Sequence, residues 1–204
     1  MAPTADGGSG QNRKQRAADA AIEVIASDGL RGLTHRAVDA RAGLPPGSTS
    51  SCFRTRLALL AAVLDRLAEL DEAVVTAVPD TGWSTDTPEQ RAAIVDMLTD
   101  LLVYWLGPAR SRTRARMELY VDATRRAELL PELQAANRRF VDRAAEGIRL
   151  TGLTNSDQAA RMLVAHMDGL LYDALARPYL GGHDRAALRE SLDTLVRGIT
   201  SHST

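Results

Sequence analysis

The chain has 204 residues, 45% hydrophobic and 25% charged, with a formal net charge of -1, a globular composition with room for one large domain or two small ones. The single cysteine, Cys52, excludes an internal disulfide framework, and no apolar run reaches the roughly 20 residues of a membrane span. No apolar signal core opens the sequence, so the expected compartment is the cytoplasm. The near-zero charge conceals an asymmetry: residues 1–60 carry eight Lys or Arg against five Asp or Glu, a local +3, and the remainder carries 17 against 21, a local -4. A basic head on an acidic body suits a head that meets phosphate.

Residues 1–11 are rich in Gly, Ser and Ala, show no apolar period, and are expected to form a flexible tail. A helix is predicted over 12–28, where Ala18, Ala21, Ile22, Ile25 and Ala26 make one apolar stripe and Gly29 ends it. Thr34 caps a second helix that reaches about Ala42, Gly43 makes a turn, and Pro45-Pro46 opens a short third helix. Thr55 caps a long fourth helix with Leu57, Leu60, Ala61, Leu64 and Leu67 on one side. After a polar loop at 79–86, Thr87-Pro88-Glu89-Gln90 supplies a cap, a proline at the first helical position and a glutamine able to complete a capping box. The helix that follows places Ile94, Leu98, Leu101, Leu102 and Trp105 inward and stops at Gly107-Pro108. Further helices are predicted over about 110–127, 131–151, 156–177 and 184–200. Of these, 131–151 turns Leu133, Phe140, Ala144 and Ile148 inward, and the last carries Leu188, Leu192, Leu195, Val196 and Ile199. No alternating strand pattern and no internal repeat is present, so the chain is expected to be all-α with about nine helices.

The segment from Thr34 to Phe53 carries the functional signal. It reads as two short helices around Gly43, the second built of Ser and Thr. Such residues favour caps and turns, so they do not hold a helix by their own propensity. Short polar side chains on a short helix suit the major groove of duplex DNA. The four histidines, at 35, 166, 183 and 202, have no ligand spacing and no companion cysteine, so no metal and no cofactor is expected. No nucleophile motif and no phosphate-cradling glycine loop is present, and no enzymatic activity is expected. Cys52, near Arg54, has a possible redox reading, but a small residue on a crowded helix explains it more simply.

Several features in order, the Asp28-Gly29-Leu30 helix end, Gly32-Leu33-Thr34 before Arg36, Ala42-Gly43-Leu44, Gly47-Ser48, Phe53 and Leu59-Leu60, make residues 13–70 resemble the DNA-binding domain of the TetR family of repressors. The chain departs from the family pattern at Asp39, where a small residue is usual, and at Ser50, Ser51 and Cys52, where the family often has aromatics. The resemblance implies DNA contacts by Thr34, His35, Arg36, Pro46, Gly47, Ser48, Ser50, Ser51 and Cys52, with Arg56 on a phosphate. It also implies a body that encloses a small-molecule effector, with Leu101, Tyr104, Trp105, Met117, Tyr120 and Met167 as candidate lining and Arg116 or His166 as polar anchors. The implied organisation is a tail (1–11), a helix-turn-helix domain (12–56) and a helical effector-binding and dimerisation domain (57–204). The expected function is a cytoplasmic transcriptional regulator, a repressor. It would be a homodimer on a near-palindromic operator, released by the effector, with no membrane partner. The dimer is expected to form through the last two helices as a four-helix bundle, with Leu163, Leu170 and Leu171 on one and Leu188, Leu192, Leu195 and Ile199 on the other. The competing reading is a helical small-molecule-binding protein or enzyme with no DNA role.

Overall fold

The computed structural model describes residues 6–78 and 84–201. Trp83 and His202, and the tail residues 1–5, lie outside the described residues. Among these there are nine α-helices, two 3₁₀ turns and no strand. The helices are α1 (Asp6–Gly32), α2 (His35–Ala42), α3 (Ser48–Cys52), α4 (Arg56–Thr76), α5 (Pro88–Leu106), α6 (Arg110–Ala123), α7 (Leu130–Leu150), α8 (Ser156–Ala176) and α9 (Arg185–Ser201). The all-α expectation holds, with three adjustments. Residues 6–11, read as tail, continue α1, because a helix once nucleated by packing carries polar residues along at its end. Gly29 does interrupt that helix, at φ 68°. The third helix opens at Ser48, after Pro45-Pro46, since Gly47 stands in the left-handed region at φ 87°.

The chain divides into two compact units, 1–71 with 111–136, and 72–110 with 137–204. These are discontinuous in sequence, unlike the linear division at residue 56: α4, α6 and α7 each begin in one unit and end in the other.

In the first unit α1 packs on α2 and α3. Its predicted stripe is buried in full, Ala18, Ala21, Ile22, Ile25 and Ala26, and the alanines allow close helix approach. The face of α4 is rotated from the expected one. Leu59, Leu60, Val63, Leu64 and Leu67 are buried, whereas Leu57 is 39% exposed. Leu119, Leu129 and Leu133 complete this core. Each such Leu or Ile withdrawn from water contributes about 1.5–3 kcal/mol.

In the second unit α5 packs on α8 and α9. The expected capping box is present: Thr87 Oγ1 accepts the Gln90 N–H at 3.3 Å and Gln90 Oε1 accepts the Thr87 N–H at 3.1 Å. The buried face of α5 is Val95, Leu98, Thr99, Leu102 and Trp105; Ile94 and Leu101 are half-buried. On α9, Leu188, Leu192 and Val196 are buried within the protomer. The expectation that Leu188 and Leu192 form an interface between protomers is therefore corrected, along with Leu163 and Leu171 of α8, which are buried too. A second side of these two helices carries Leu195, Ile199, His166 and Met162, the last 49% exposed, around a surface groove. Among the described residues no single helix is long and apolar enough to cross a membrane.

Candidate DNA-binding surface and ligand cavity

The helix-turn-helix is built by a chain of caps. Thr34 opens α2, its Oγ1 accepting the Ala37 N–H at 3.1 Å. Gly43 closes α2 in the left-handed region, φ 61°, where its N–H returns to Ala40 and Asp39 carbonyls, and a side chain there would be strained. The chain then enters α3, five residues of Ser, Thr and Cys with no side chain at its own N-cap, because that position is Gly47. The missing cap comes from Asp39 on α2. Its Oδ2 accepts the Gly47 N–H at 2.8 Å, and its Oδ1 accepts the Thr49 N–H at 2.7 Å and the Thr49 hydroxyl at 2.5 Å. Asp39 is 5% exposed and Thr49 fully buried. Burial, the largest influence on the Asp39 carboxyl, pushes its pKa up, but the hydrogen bonds from Thr49 and Gly47 and the nearby His35 outweigh it and leave the group below its ordinary value.

The predicted contact residues fall into two sets. Arg36, Pro46, Gly47, Ser50 and Ser51 are exposed on or beside α2 and α3, as is Thr34; Cys52 is half-buried. The hydroxyls of Ser50 and Ser51 donate to the Gly47 carbonyl at 2.9 and 2.8 Å, which leaves their oxygens outward as acceptors. The second set is spent on holding the fold. Ser48 is 8% exposed and turned inward, so it is not presented to a groove as expected. His35 donates from Nε2 to the Phe53 carbonyl at 2.7 Å, which fixes the protonated nitrogen, since a carbonyl only accepts. Arg56, expected on a phosphate, donates instead to the Leu30 and Leu33 carbonyls and ties α4 to the end of α1. Arg16 does the same for α2, donating to the Ala42 carbonyl at 2.8 Å. Arg54, not among the expected contacts, is exposed directly after α3. Its position two residues beyond the helix was the available signal.

The second unit contains a cavity of about 80 Å³. Val75 of α4 and the following Val78 line it with Met97, Leu98, Leu101 and Trp105 of α5; Phe140, Arg143, Ala144 and Ile148 of α7; and Leu163, Val164 and Met167 of α8. Trp105 and Phe140 meet edge to face at 6.4 Å between ring centroids. Arg143 is the charged group among these residues and donates to the Val78 carbonyl at 3.4 Å. Leu101, Trp105 and Met167 of the predicted lining are here, while Tyr104, Met117 and Tyr120 are not among the residues that line it. Met117 and Tyr120 belong to the first unit, where Tyr120 packs against the core. Arg116, a candidate polar anchor, is also there, buried against Asp71 at 2.8 Å, and His166 bonds Ser191 at 3.0 Å on the other groove. Phe140, Ala144 and Ile148 had read as inward-facing and Leu163 as part of the dimer face; helical period places them on one side without telling whether the space they face is filled.

Residues 89–200 match the family described as tetracyclin repressor-like, C-terminal domain. The multidrug binding protein EbrR, solved in complex with ethidium, is similar at 32% identity and a TM-score of 0.69, over 90% of this chain and 98% of that one. A TetR-family member from Streptomyces coelicolor is similar at 33% identity and a TM-score of 0.69, over 90% and 97% of the two chains. An HTH-type transcriptional regulator in the dhlA 5′ region of Xanthobacter autotrophicus is 27% identical over 199 residues, 96% of this chain and 91% of the relative. With more than half of its length in the family match and a helix-turn-helix at its head, the chain belongs to the TetR family of transcriptional regulators.

Proposed function

We propose that the protein is a dimeric repressor that binds a near-palindromic operator in the cytoplasm and leaves it when a mostly apolar small molecule enters the second-unit cavity. The observation that carries the reading is the division of labour around α3: buried groups fix the helix, and Arg36, Ser50, Ser51 and Arg54 stay exposed. The guanidinium groups suit phosphates, and the outward hydroxyl oxygens suit base amino groups in a major groove. No catalytic role is assigned.

The cavity supports the ligand half of the reading. It has the apolar lining of a small-molecule site, Met97 and Met167 give it walls that can yield to a guest larger than the space at rest, and Val75 places the last turn of α4 in its wall. The first turn of α4 holds the head through Arg56. A ligand that displaces the Val75 end acts on a helix continuous with the head. EbrR was solved with ethidium, with malachite green, with proflavin and with imidazole, which favours an aromatic effector here. Dimerisation is assigned to the α8–α9 side carrying Met162, Leu195 and Ile199. Two-fold symmetry matches a near-palindromic operator, whose half-sites lie on successive major grooves roughly 34–36 Å apart.

The test is a gel shift with duplex DNA from around the protein's own gene, repeated with candidate aromatic compounds. Expected are a preference for one near-palindromic segment over random duplex and a 5–150-fold loss of affinity with an effector, equivalent to about 1–3 kcal/mol of coupling. A lack of preference for any segment overturns the regulator reading. A ligand that binds without moving operator affinity overturns the release mechanism alone.

A further inference from the structure

We infer that Asp39 is the positioning residue of α3: from the neighbouring helix it holds α3 in the single pose that reads bases, and so it sets sequence discrimination rather than bulk affinity for DNA. The inference rests on the reading that α3 faces the groove, and it adds to it a residue that need not touch DNA.

Three observations carry it. The first is that α3 has no internal means of standing. It has five residues, none a strong helix former, and isolated helices shorter than about 12–15 residues are marginal in water. The second is that the first N–H groups of any helix lack intrahelical partners, and here Gly47 has no side chain to meet them. One carboxylate, entering from α2, takes the Gly47 and Thr49 N–H groups, and the Ser48 N–H goes to the Pro45 carbonyl at 3.1 Å. The third is burial. Asp39 and Thr49 are enclosed, so the carboxylate has exchanged water for three bonds, from the Gly47 N–H, the Thr49 N–H and the Thr49 hydroxyl, and their directions fix α3 against α2.

The consequence is specific. Arg36 stands on α2, and Arg54 follows Phe53, whose carbonyl is held by His35 of α2 at 2.7 Å, so neither phosphate contact requires the start of α3 to keep its place. Base contacts by Ser50 and Ser51 do, because these short side chains have no reach to compensate for a displaced helix. Loss of the Asp39 anchor therefore separates discrimination from affinity.

The experiment uses the full-length protein and the duplex that wild-type protein selects from a randomised library, with a scrambled duplex of equal length as the non-specific probe. Asp39→Ala and Asp39→Asn are expected to weaken binding to the selected duplex about 10–100-fold, the scale of one or two base contacts. Binding to the scrambled duplex is expected to stay within about twofold, with the salt dependence unchanged, because phosphate contacts set both. Thr49→Val removes one of the three bonds and is expected to give a smaller loss of the same kind. Thr49→Ser keeps the hydroxyl and restores discrimination. Should the Asp39 variants melt early, the Thr49 pair still decides the matter, since both differ from wild type at one buried side chain and only one keeps the bond. Equal losses on the selected and scrambled duplexes would show that Asp39 merely keeps the head folded, and unchanged discrimination would show that α3 stands without it; either overturns the inference. If wild-type protein selects no duplex at all, the DNA reading falls, and this inference with it.

Discussion

In the unit that holds α2 and α3, polar groups are set deep among hydrocarbon and serve as fasteners: Asp39 on Gly47 and Thr49, and Asp71 on Arg116. In the unit that holds the cavity, Arg189 and Asp96 pair on the outside at 2.6 Å with side chains 41% and 48% exposed. A buried hydroxyl contact there, Thr99 to the Val95 carbonyl, stays within its own helix. The apolar groups differ in the same sense. The first core is filled with Ala and Leu, whereas the second leaves space between Trp105, Phe140, Met97 and Met167. Met side chains are unbranched and adapt to irregular space. The contrast teaches that one unit is specified tightly enough to hold a recognition surface, and the other is left adaptable enough to admit a guest.

The largest expected break in that contrast comes from the ion pairs. Asp71→Ala leaves Arg116 as a buried cation, and removing one partner of such a pair costs about 3–5 kcal/mol. Asp96→Ala breaks a pair of similar length at the surface, where the cost is about 0–1 kcal/mol. Urea unfolding of the two variants should therefore separate widely. Similar midpoints would mean that the buried pair is not a fastener.

Packing provides a sharper version of the same test. Leu64 is 1% exposed in the first core, and Leu64→Ala is expected to cost about 2–5 kcal/mol through lost burial and a new void. Leu101 is half-buried and already faces empty space, so Leu101→Ala creates little additional void and is expected to cost about 1 kcal/mol. Thermal melting measures both. An aromatic ligand that raises the melting temperature of wild type should raise it less in Leu101→Ala.

Much of this was legible in the sequence, and the gaps have physical causes. The stripe of α1 and the Thr87–Gln90 box are local patterns, set by period and by contacts three or four residues apart. The cap that Asp39 gives α3 spans eight to ten residues and two helices, so no local rule points to it, although Asp39 was visible as a charge where a small residue is usual. The inward turn of Ser48 was not legible, because five residues are too few to show a period. Arg56 illustrates an ambiguity of chemistry: a guanidinium at a helix start suits a phosphate or a pair of carbonyls, and the carbonyls lie 23 and 26 residues away in sequence.

That ambiguity yields a test of middle size. Arg36→Ala is expected to weaken binding to every duplex and to reduce the salt slope by about one, as for one lost phosphate contact. Arg56→Ala is expected instead to leave the salt slope alone and to cost about 1–3 kcal/mol of stability, since two carbonyls lose a charged donor. Titrating each variant with scrambled duplex at several salt concentrations, beside its melting curve, distinguishes the two roles. A reduced slope in Arg56→Ala would return that residue to the phosphates.

The smallest effect is one of pH, and it reports on both units at once. The Asp39 carboxyl lies below its ordinary value in the folded chain, so the folded state favours the ionised form. Its contribution is fully present above the unfolded value and disappears as pH falls through the lower folded one. Asp173 on α8 is lowered as well, chiefly by the His183 hydrogen bond at 2.7 Å and in part by Arg177. Acid therefore loosens each unit by its own carboxylate, and from about pH 5 upward neither group changes its charge. Melting curves of wild type, Asp39→Asn and Asp173→Asn from neutral pH down to about pH 3 should converge on the acid side, because protonated wild type has lost what each variant lacks. A constant separation from wild type down to the lowest pH would mean that Asp39 stabilises the head by shape alone and not by its charge.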